Sequence, residues 1–181
     1  MYFNERGKAN TAQTIDIALQ AAAERGIDNI VVASNTGETA LLLESFSGNI
    51  VCVTHVDGFR EPGKNELTQQ MRDRLEVRGM KVLTAAHALS GAERALSTKF
   101  GGVYPVEIIA HTLRMMGQGT KVCVEIGAMA LDAGLIPYDQ PVIAVCGSGR
   151  GADTALILTP AYTSNILSTR IHEVLCKPYN P

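Results

Sequence analysis

Apolar residues along this chain occur either in short unbroken runs or at the spacing of an amphipathic helix. The unbroken runs are rich in β-branched residues and show no alternation, which is typical of strands buried on both faces of a parallel sheet. They cover residues 29–33, 50–55, 81–85 and 142–146. Because helical segments separate these runs, the pattern predicts one three-layer α/β domain over residues 1–181, with a mainly parallel sheet.

Start and stop signals bound the predicted helices. Asn10 and Gln13 form a capping-box pattern before the first helix, and Gly26 ends that helix. Ser90 and Glu93 repeat the capping-box pattern later in the chain. The further predicted helices cover residues 38–46, 65–79, 90–97 and 105–117, the last beginning with Pro105 in the first turn.

Two apolar segments differ from this alternation. Residues 121–136 are interpreted as a strand that runs into a helix. Residues 154–161 read as a strand that follows the run at 142–146 after only a glycine-rich turn. So short a connection favours an antiparallel pair.

Polar or glycine-rich segments follow each of the four predicted parallel strands. In open α/β sheets, ligands bind beyond the carboxyl ends of the strands, where these segments meet. The sequence therefore predicts a ligand crevice at that edge of the sheet. The segments concerned are residues 34–39, 55–64, 85–90 and 147–154.

The first of these segments has the residues of an anion site. A helix starting near Thr36 or Gly37 would present unpaired N–H groups and a partial positive charge to a phosphate. Hydroxyl groups could donate further hydrogen bonds, whereas the charge of Glu38 would have to turn away. The alternative interpretation is that Thr36 merely caps the helix. The candidate binding residues here are Ser34, Asn35, Thr36, Gly37, Glu38 and Thr39.

The glycine-rich segment before residue 154 allows two interpretations. It is either a plain hairpin loop or a flexible loop that presents Arg150 to an anionic or polar group. It is not a dinucleotide fingerprint, because a strand follows it and not a helix. The candidate residues are Gly147, Ser148, Gly149, Arg150, Gly151, Asp153 and Thr154.

Titratable groups near the predicted crevice are few. His55 and His87 follow predicted strands, whereas His111 and His172 are expected to be structural or surface groups. No nucleophile lies at a diagnostic spacing from either crevice histidine, so a catalytic triad is not supported. Each can equally be a solvated loop histidine. Residues 55–65 are interpreted as a lid or a simple surface loop.

Composition narrows the class of protein. At a net charge of −2, with 46% hydrophobic and 19% charged residues, the chain offers no electrostatic basis for binding nucleic acid or an acidic membrane. It has no apolar run long enough to span a membrane, and residues 1–10 lack the apolar core of a signal peptide. The four cysteines are far apart, so we expect buried, reduced thiols, no metal site and a cytoplasmic protein.

Residues 31–40 resemble the effector-binding loop in the C-terminal domain of pyruvate kinases, a Thr/Ser-x-Ser/Thr-Gly-x-Ser/Thr-Ala pattern after a strand. A weaker resemblance covers residues 141–158, where a strand, a glycine-rich loop and a second strand end that domain. The defining positions are occupied by Ser34, Thr36, Gly37, Thr39 and Ala40 in the first match, and by Gly147, Ser148, Gly149 and Thr154 in the second.

The whole chain looks like a group of small stand-alone prokaryotic proteins with this pyruvate kinase C-terminal-like fold. The resemblance implies a sheet of order 3-2-1-4-5 whose last strand is antiparallel. It also implies a crevice in which flavin mononucleotide (FMN) has been seen. The catalytic barrel of pyruvate kinases and its metal-binding carboxylates are not in this sequence, so we expect no pyruvate kinase activity from it.

These observations lead to one leading hypothesis and two alternatives. The leading hypothesis is binding of a phosphorylated small molecule, most simply FMN, with its phosphate at residues 34–39. Its ring would then extend towards Ala86, His87 and the loop at 147–154. The first alternative is a flavin-dependent oxidoreductase or another enzyme that acts on a phosphorylated metabolite. The second is a structural or subunit-associating domain, consistent with a homo-oligomer.

Overall fold

The computed structural model describes residues 1–180 as an alternation of helices and strands. The strands are β1 (Tyr2–Phe3), β2 (Asn29–Ala33), β3 (Asn49–Thr54), β4 (Lys81–Thr84), β5 (Val142–Cys146), β6 (Thr154–Thr159) and β7 (Arg170–Pro178). The helices are α1 (Thr11–Arg25), α2 (Glu38–Leu41), α3 (Gln69–Glu76), α4 (Gly91–Phe100), α5 (Pro105–Arg114) and α6 (Gln118–Asp132). Short 3-10 helices cover Lys8–Asn10 and Thr163–Ser168.

All seven strands form one sheet of order β1-β7-β6-β5-β2-β3-β4. Strands β5, β2, β3 and β4 are parallel, and β6 runs antiparallel to both β5 and β7. Its central part, β4-β3-β2-β5-β6, has the order 3-2-1-4-5 that the family resemblance implied. The antiparallel strand is not the last one, however, because β7 and β1 continue the sheet beyond it.

Two hydrophobic layers cover the two faces of the sheet. On one face, Ile30 and Val32 of β2 pack in a cluster with residues of α1 and with Leu75 of α3. On the other face, Val31 of the same strand packs in a cluster with residues of α6. Successive residues of a strand point to opposite faces, so a strand covered on both sides is apolar at every position. This confirms the three-layer α/β architecture.

Helix α6 corrects the interpretation of residues 121–136, because the segment contains no strand. All but one of the residues from Gly119 to Leu131 are buried, so the helix is apolar almost all round and lacks a polar stripe. Gly127 allows the helix to approach β6, since a Cβ there would lie 3.1 Å from a side-chain carbon of Leu158. A helix buried in this way has the same uniform apolar pattern as a buried strand.

Four helices also differ in their bounds from the prediction, and one of them, α5, ends at Arg114, three residues before the predicted end. Helix α2 has only four residues, and the chain continues in turns where a helix to residue 46 was predicted. Helix α3 begins at Gln69, where the hydroxyl of Thr68 accepts the Met71 N–H and stops the helix from extending back to residue 65. Helix α4 extends to Phe100, three residues beyond the predicted end.

Neither predicted capping box forms. The Asn10 amide donates to the Glu5 carbonyl and does not cap α1. The Glu93 carboxylate accepts the N–H groups of Val106 and Glu107, so it caps the start of α5 and not that of its own helix. The left-handed Gly26 at the end of α1 and the proline in the first turn of α5 are as predicted.

Candidate functional site

Four loops meet at one edge of the sheet because β2, β3, β4 and β5 run parallel and end there. Neighbouring parallel strands are about 4.8 Å apart, so the residues after β2 and β3 lie side by side. The Ser34 N–H donates to the Val53 carbonyl at 3.0 Å and joins the first loop to β3. The topology therefore brings together the four segments that the sequence singled out.

The loop at residues 34–39 is organised by Ser34. Its hydroxyl oxygen accepts the N–H groups of Thr39 at 3.2 Å and Ala40 at 3.4 Å, so Ser34, and not Thr36, caps the short helix α2. Among residues 1–180, no protein acceptor lies within hydrogen-bonding distance of the N–H groups at positions 36–38. Thr36 and Glu38 are exposed, whereas Thr39 is buried. The loop thus presents unpaired donors at its exposed turn.

Gly37 is required by close packing as well as by its backbone conformation. Its φ of +84° is left-handed, and a Cβ there would lie 2.5 Å from the Met71 Cγ. It would also lie 3.1 Å and 3.2 Å from the Leu67 and Leu75 side chains. Helix α3 and Leu67 therefore close one side of the loop, and only glycine fits beneath them.

The positively charged side chain of Arg72 lies on the same side of the sheet as this loop. The Arg72 guanidinium donates to the Thr84 hydroxyl at 3.0 Å, and that hydroxyl is 2.7 Å from the Thr54 hydroxyl. Burial raises the pKa of the Cys52 thiol to about 12, and the charge of Arg72 partly opposes this rise. The same thiol donates to the Ser34 carbonyl at 3.6 Å. Arg72 therefore places positive charge near the base of the loop.

Rings from two neighbouring strand ends form a cluster on the other side of the edge. The His55 ring lies 3.9 Å from the Phe59 ring and 5.4 Å from the His87 ring, between centroids. The His55 Nδ1 is 2.5 Å from Glu66 Oε2, and the Arg60 Nε donates to the other oxygen of that carboxylate at 2.8 Å. The loop after β3 therefore holds a histidine–carboxylate pair next to a second histidine.

A buried ion pair on α6 contacts the loop that carries His87. Lys121 Nζ donates to Glu125 Oε2 at 2.5 Å, and both side chains are about 95% buried. The second oxygen of Glu125 accepts the Leu89 N–H at 2.9 Å, which ties the loop after β4 to α6. Burial lowers the pKa of His87, an effect that Glu125 opposes and that His55, Lys121 and Arg94 increase. His87 is therefore neutral at neutral pH.

The glycine-rich segment after β5 forms a hairpin that Asp153 holds together. Its buried carboxylate accepts the N–H groups of Gly7 and Ser148 and the hydroxyl of Thr154. Gly151, with a φ of +74°, packs against the hydroxyl of Thr11. Asp153 is thus occupied in positioning the loop, while Gly149 and Arg150 stay exposed at its tip.

The remaining predicted residues have simple locations. Asn35 is half-buried and Ala86 is exposed. His111 lies exposed on α5, and the Nε2 of His172 on β7 is 2.8 Å from the Thr159 hydroxyl, as expected for surface and structural groups. All four cysteines are buried free thiols.

Sequence reasoning did not single out four charged residues that the fold brings to this edge: Glu66, Arg72, Lys121 and Glu125. A signal existed for the last two, because two opposite charges four residues apart interrupt an otherwise apolar segment. Nothing in the local sequence distinguishes the first two from other charged residues of a surface loop and helix.

The fold and this converging set of loops define a three-layer α/β domain of the type that binds ligands at the carboxyl ends of parallel strands. A family model described as pyruvate kinase, alpha/beta domain matches residues 12–158. The chain belongs to this family.

Solved structures with a similar fold include pyruvate kinases of Cryptosporidium parvum. One is 17% identical, with 79% of this chain covering 22% of that chain at a TM-score of 0.41. Another, solved in complex with ADP, is 16% identical, with 96% of this chain covering 25% of that chain at a TM-score of 0.40. This chain thus spans about a quarter of the length of those enzymes, and likeness at this level carries no functional weight. Within residues 1–180, none of the helices has the length and apolar character needed to cross a bilayer.

Proposed function

We propose that the crevice at the carboxyl ends of β2–β5 binds a phosphorylated small molecule, with its phosphate at residues 34–39. The observation that carries the proposal is the set of unpaired N–H groups at positions 36–38, held in place by Ser34 and by α3. Oriented amides of this kind favour anions. Arg72 adds positive charge on the same side of the sheet, although its guanidinium also lies 3.6 Å from the Glu76 carboxylate.

FMN is the best candidate ligand. Its phosphate suits the loop at residues 34–39. The ring cluster of His55, Phe59 and His87, whose rings are tilted or edge to face, offers partly apolar faces and edges to a ring system. Exposed donors at the tip of the glycine-rich hairpin could bond the polar edge of that ring. When bound, FMN would supply hydride and electron transfer.

The second candidate function is an enzyme, either a flavin-dependent oxidoreductase or one that acts on another phosphorylated metabolite. The close pair of His55 and Glu66 beside a neutral His87 favours it, because titratable groups in such an arrangement are typical of acid–base chemistry. A subunit-associating role is favoured only by α4, of which no residue is buried and on which Leu96 and Phe100 are exposed.

Binding by two matched ligands tests the proposal. Thr36→Ala combined with Thr39→Ala removes two hydroxyl donors of the loop. Each lost hydrogen bond to a charged phosphate should cost about 1.5–3 kcal/mol, roughly tenfold or more in affinity. FMN should lose this affinity and riboflavin, which lacks the phosphate, should hardly change, as measured by flavin fluorescence. The exposed Thr98→Ala on α4 is the control. Equal weakening of both ligands would show that the loop does not recognise phosphate.

A further inference from the structure

The histidine–carboxylate pair after β3 has the geometry of a general base. With Nδ1 of His55 directed at Glu66, the ring proton lies on Nδ1 and the lone pair on Nε2 is free to accept a proton. The Arg60 Nε donates to the other oxygen of Glu66 at 2.8 Å and helps to hold the carboxylate in place. Side chains of His55 and Glu66 are 25% and 18% exposed, so the pair is shielded but still reachable from the crevice.

His87 supplies a neutral hydrogen-bond donor beside this base. No hydrogen bond within residues 1–180 involves its ring nitrogens, and because no fully buried side-chain nitrogen there lacks a partner, these nitrogens are open to solvent. The carboxylate of Glu125 is already engaged by Lys121 and by the Leu89 N–H. A purely structural histidine in this setting would satisfy a ring nitrogen within the fold, as His172 does. The His55 and His87 rings lie edge to face with their centroids 5.4 Å apart, close enough for one small molecule to contact both.

Strand spacing sets the size of the molecule that can reach both groups. A phosphate on the loop after β2 lies one strand from His55 and two strands from His87, roughly 5 Å and 10 Å at the spacing of a sheet. These distances match the length of a phosphorylated compound of three to five carbons. A neutral donor opposite a base is the arrangement that stabilises an enolate while a proton leaves the neighbouring carbon.

We propose that His55 is the general base, and Glu66 its positioning residue, for proton abstraction next to the carbonyl group of a small phosphorylated hydroxy-carbonyl compound. His55 Nε2 takes the proton, the electron pair of the C–H bond forms a carbon–carbon double bond, and the π pair of the carbonyl group moves onto its oxygen to give an enolate. The N–H of His87 donates a hydrogen bond to that oxygen. Return of the proton from His55 to the same carbon completes exchange. Its delivery to the adjacent carbon, with the hydroxyl proton of that carbon passing to the former carbonyl oxygen, completes isomerisation, so no oxidant or cofactor is needed.

This inference rests on the phosphate anchor of the proposed function and not on the flavin. Dihydroxyacetone phosphate and D-ribulose 5-phosphate serve as probes, incubated with the protein in D2O while proton NMR follows exchange of carbon-bound hydrogen. We expect exchange of at least one probe. His55→Gln should slow it at least 100-fold, the usual scale of a general base. Glu66→Gln should slow turnover about tenfold with little change in KM.

Two controls separate a chemical role from a structural one. Added imidazole should restore part of the activity of His55→Ala, because a small base can enter the vacated space, and a structural defect would not respond. His172→Ala and Glu61→Gln, which alter a distant histidine and an exposed glutamate of the same loop, should leave the rate unchanged. FMN should inhibit the exchange by competing for the loop.

The outcomes distinguish this inference from the proposed function. Probes that bind, and that bind more weakly to the Thr36→Ala/Thr39→Ala variant, yet exchange no hydrogen would overturn the general-base assignment and leave phosphate binding intact. Exchange that persists in His55→Gln would also overturn it. Probe binding that ignores the Thr36→Ala/Thr39→Ala change would contradict the phosphate anchor itself, whatever the exchange rate.

Discussion

Replacing Gly37 by alanine tests how α3 closes the candidate phosphate loop. The left-handed backbone at this position, with a φ of +84°, disfavours any side chain by about 1–2 kcal/mol. The added Cβ would also lie 2.5 Å from the Met71 Cγ, with leucine side chains at 3.1 Å and 3.2 Å. Overpacking of this kind costs about 1–3 kcal/mol. Together, the two effects should lower the free energy of unfolding by roughly 2–5 kcal/mol.

Gly79→Ala is the matched control for the backbone contribution. Gly79 follows α3 with a φ of +77°, but nothing lies within 4 Å of its would-be Cβ. The control should therefore lose only about 1–2 kcal/mol. Urea denaturation followed by far-UV circular dichroism measures both variants. If Gly37→Ala is no less stable than Gly79→Ala, α3 does not pack over the loop as described.

Three further predictions address the rest of the site. Lys121→Met should destabilise the fold by about 3–5 kcal/mol in urea denaturation, since it leaves the Glu125 charge buried alone. Adding Glu125→Gln, which removes the charge but keeps an acceptor for the Leu89 N–H, should recover much of the loss, and no recovery would contradict a buried ion pair. Burial lowers the pKa of His87 in the folded protein below its value in the unfolded chain. As the pH falls below about 6.5, the unfolded chain therefore binds this proton before the folded protein does, and the free energy of unfolding should decrease. His87→Gln should remove up to about 1.4 kcal/mol per pH unit of that slope, and an unchanged slope would refute the assignment. The Gly7 N–H donates to the Asp153 carboxylate at 2.8 Å. Asp153→Asn should therefore speed hydrogen exchange of the Gly7 amide, and an unaltered exchange rate would contradict that hydrogen bond.

The strands and the crevice edge were predictable because they depend on local pattern and on topology. Strands β2 and β5 match the predicted residues 29–33 and 142–146, since a strand buried on both faces must be apolar throughout. Once these strands are parallel, the loops after them must meet at one edge. The strand predicted at the start of residues 121–136 was wrong for the same physical reason, because burial on nearly all sides removes the periodicity of α6.

The site contacts of Glu66 and Arg72 depend on tertiary packing that no local pattern encodes. Glu66 is eleven residues from His55, and its contact exists only because the loop between them turns back to the strand end. Arg72 reaches Thr84 across the gap between α3 and β4. The alternative interpretation of residues 34–39 gave the capping role to Thr36, whereas Ser34 accepts the N–H groups, because either residue type caps well and only the conformation of the turn decides.

Titration of the purified protein with FMN and with riboflavin tests the central claim most directly. If the crevice anchors a phosphate at residues 34–39, FMN fluorescence should change on binding and riboflavin should bind at least tenfold more weakly, because it cannot use the unpaired N–H groups. Freshly purified protein should also release flavin on denaturation if FMN is its resident ligand. Unchanged FMN fluorescence at high micromolar protein, with no flavin released, would contradict the flavin assignment. Equal affinity for the two flavins would contradict the phosphate anchor.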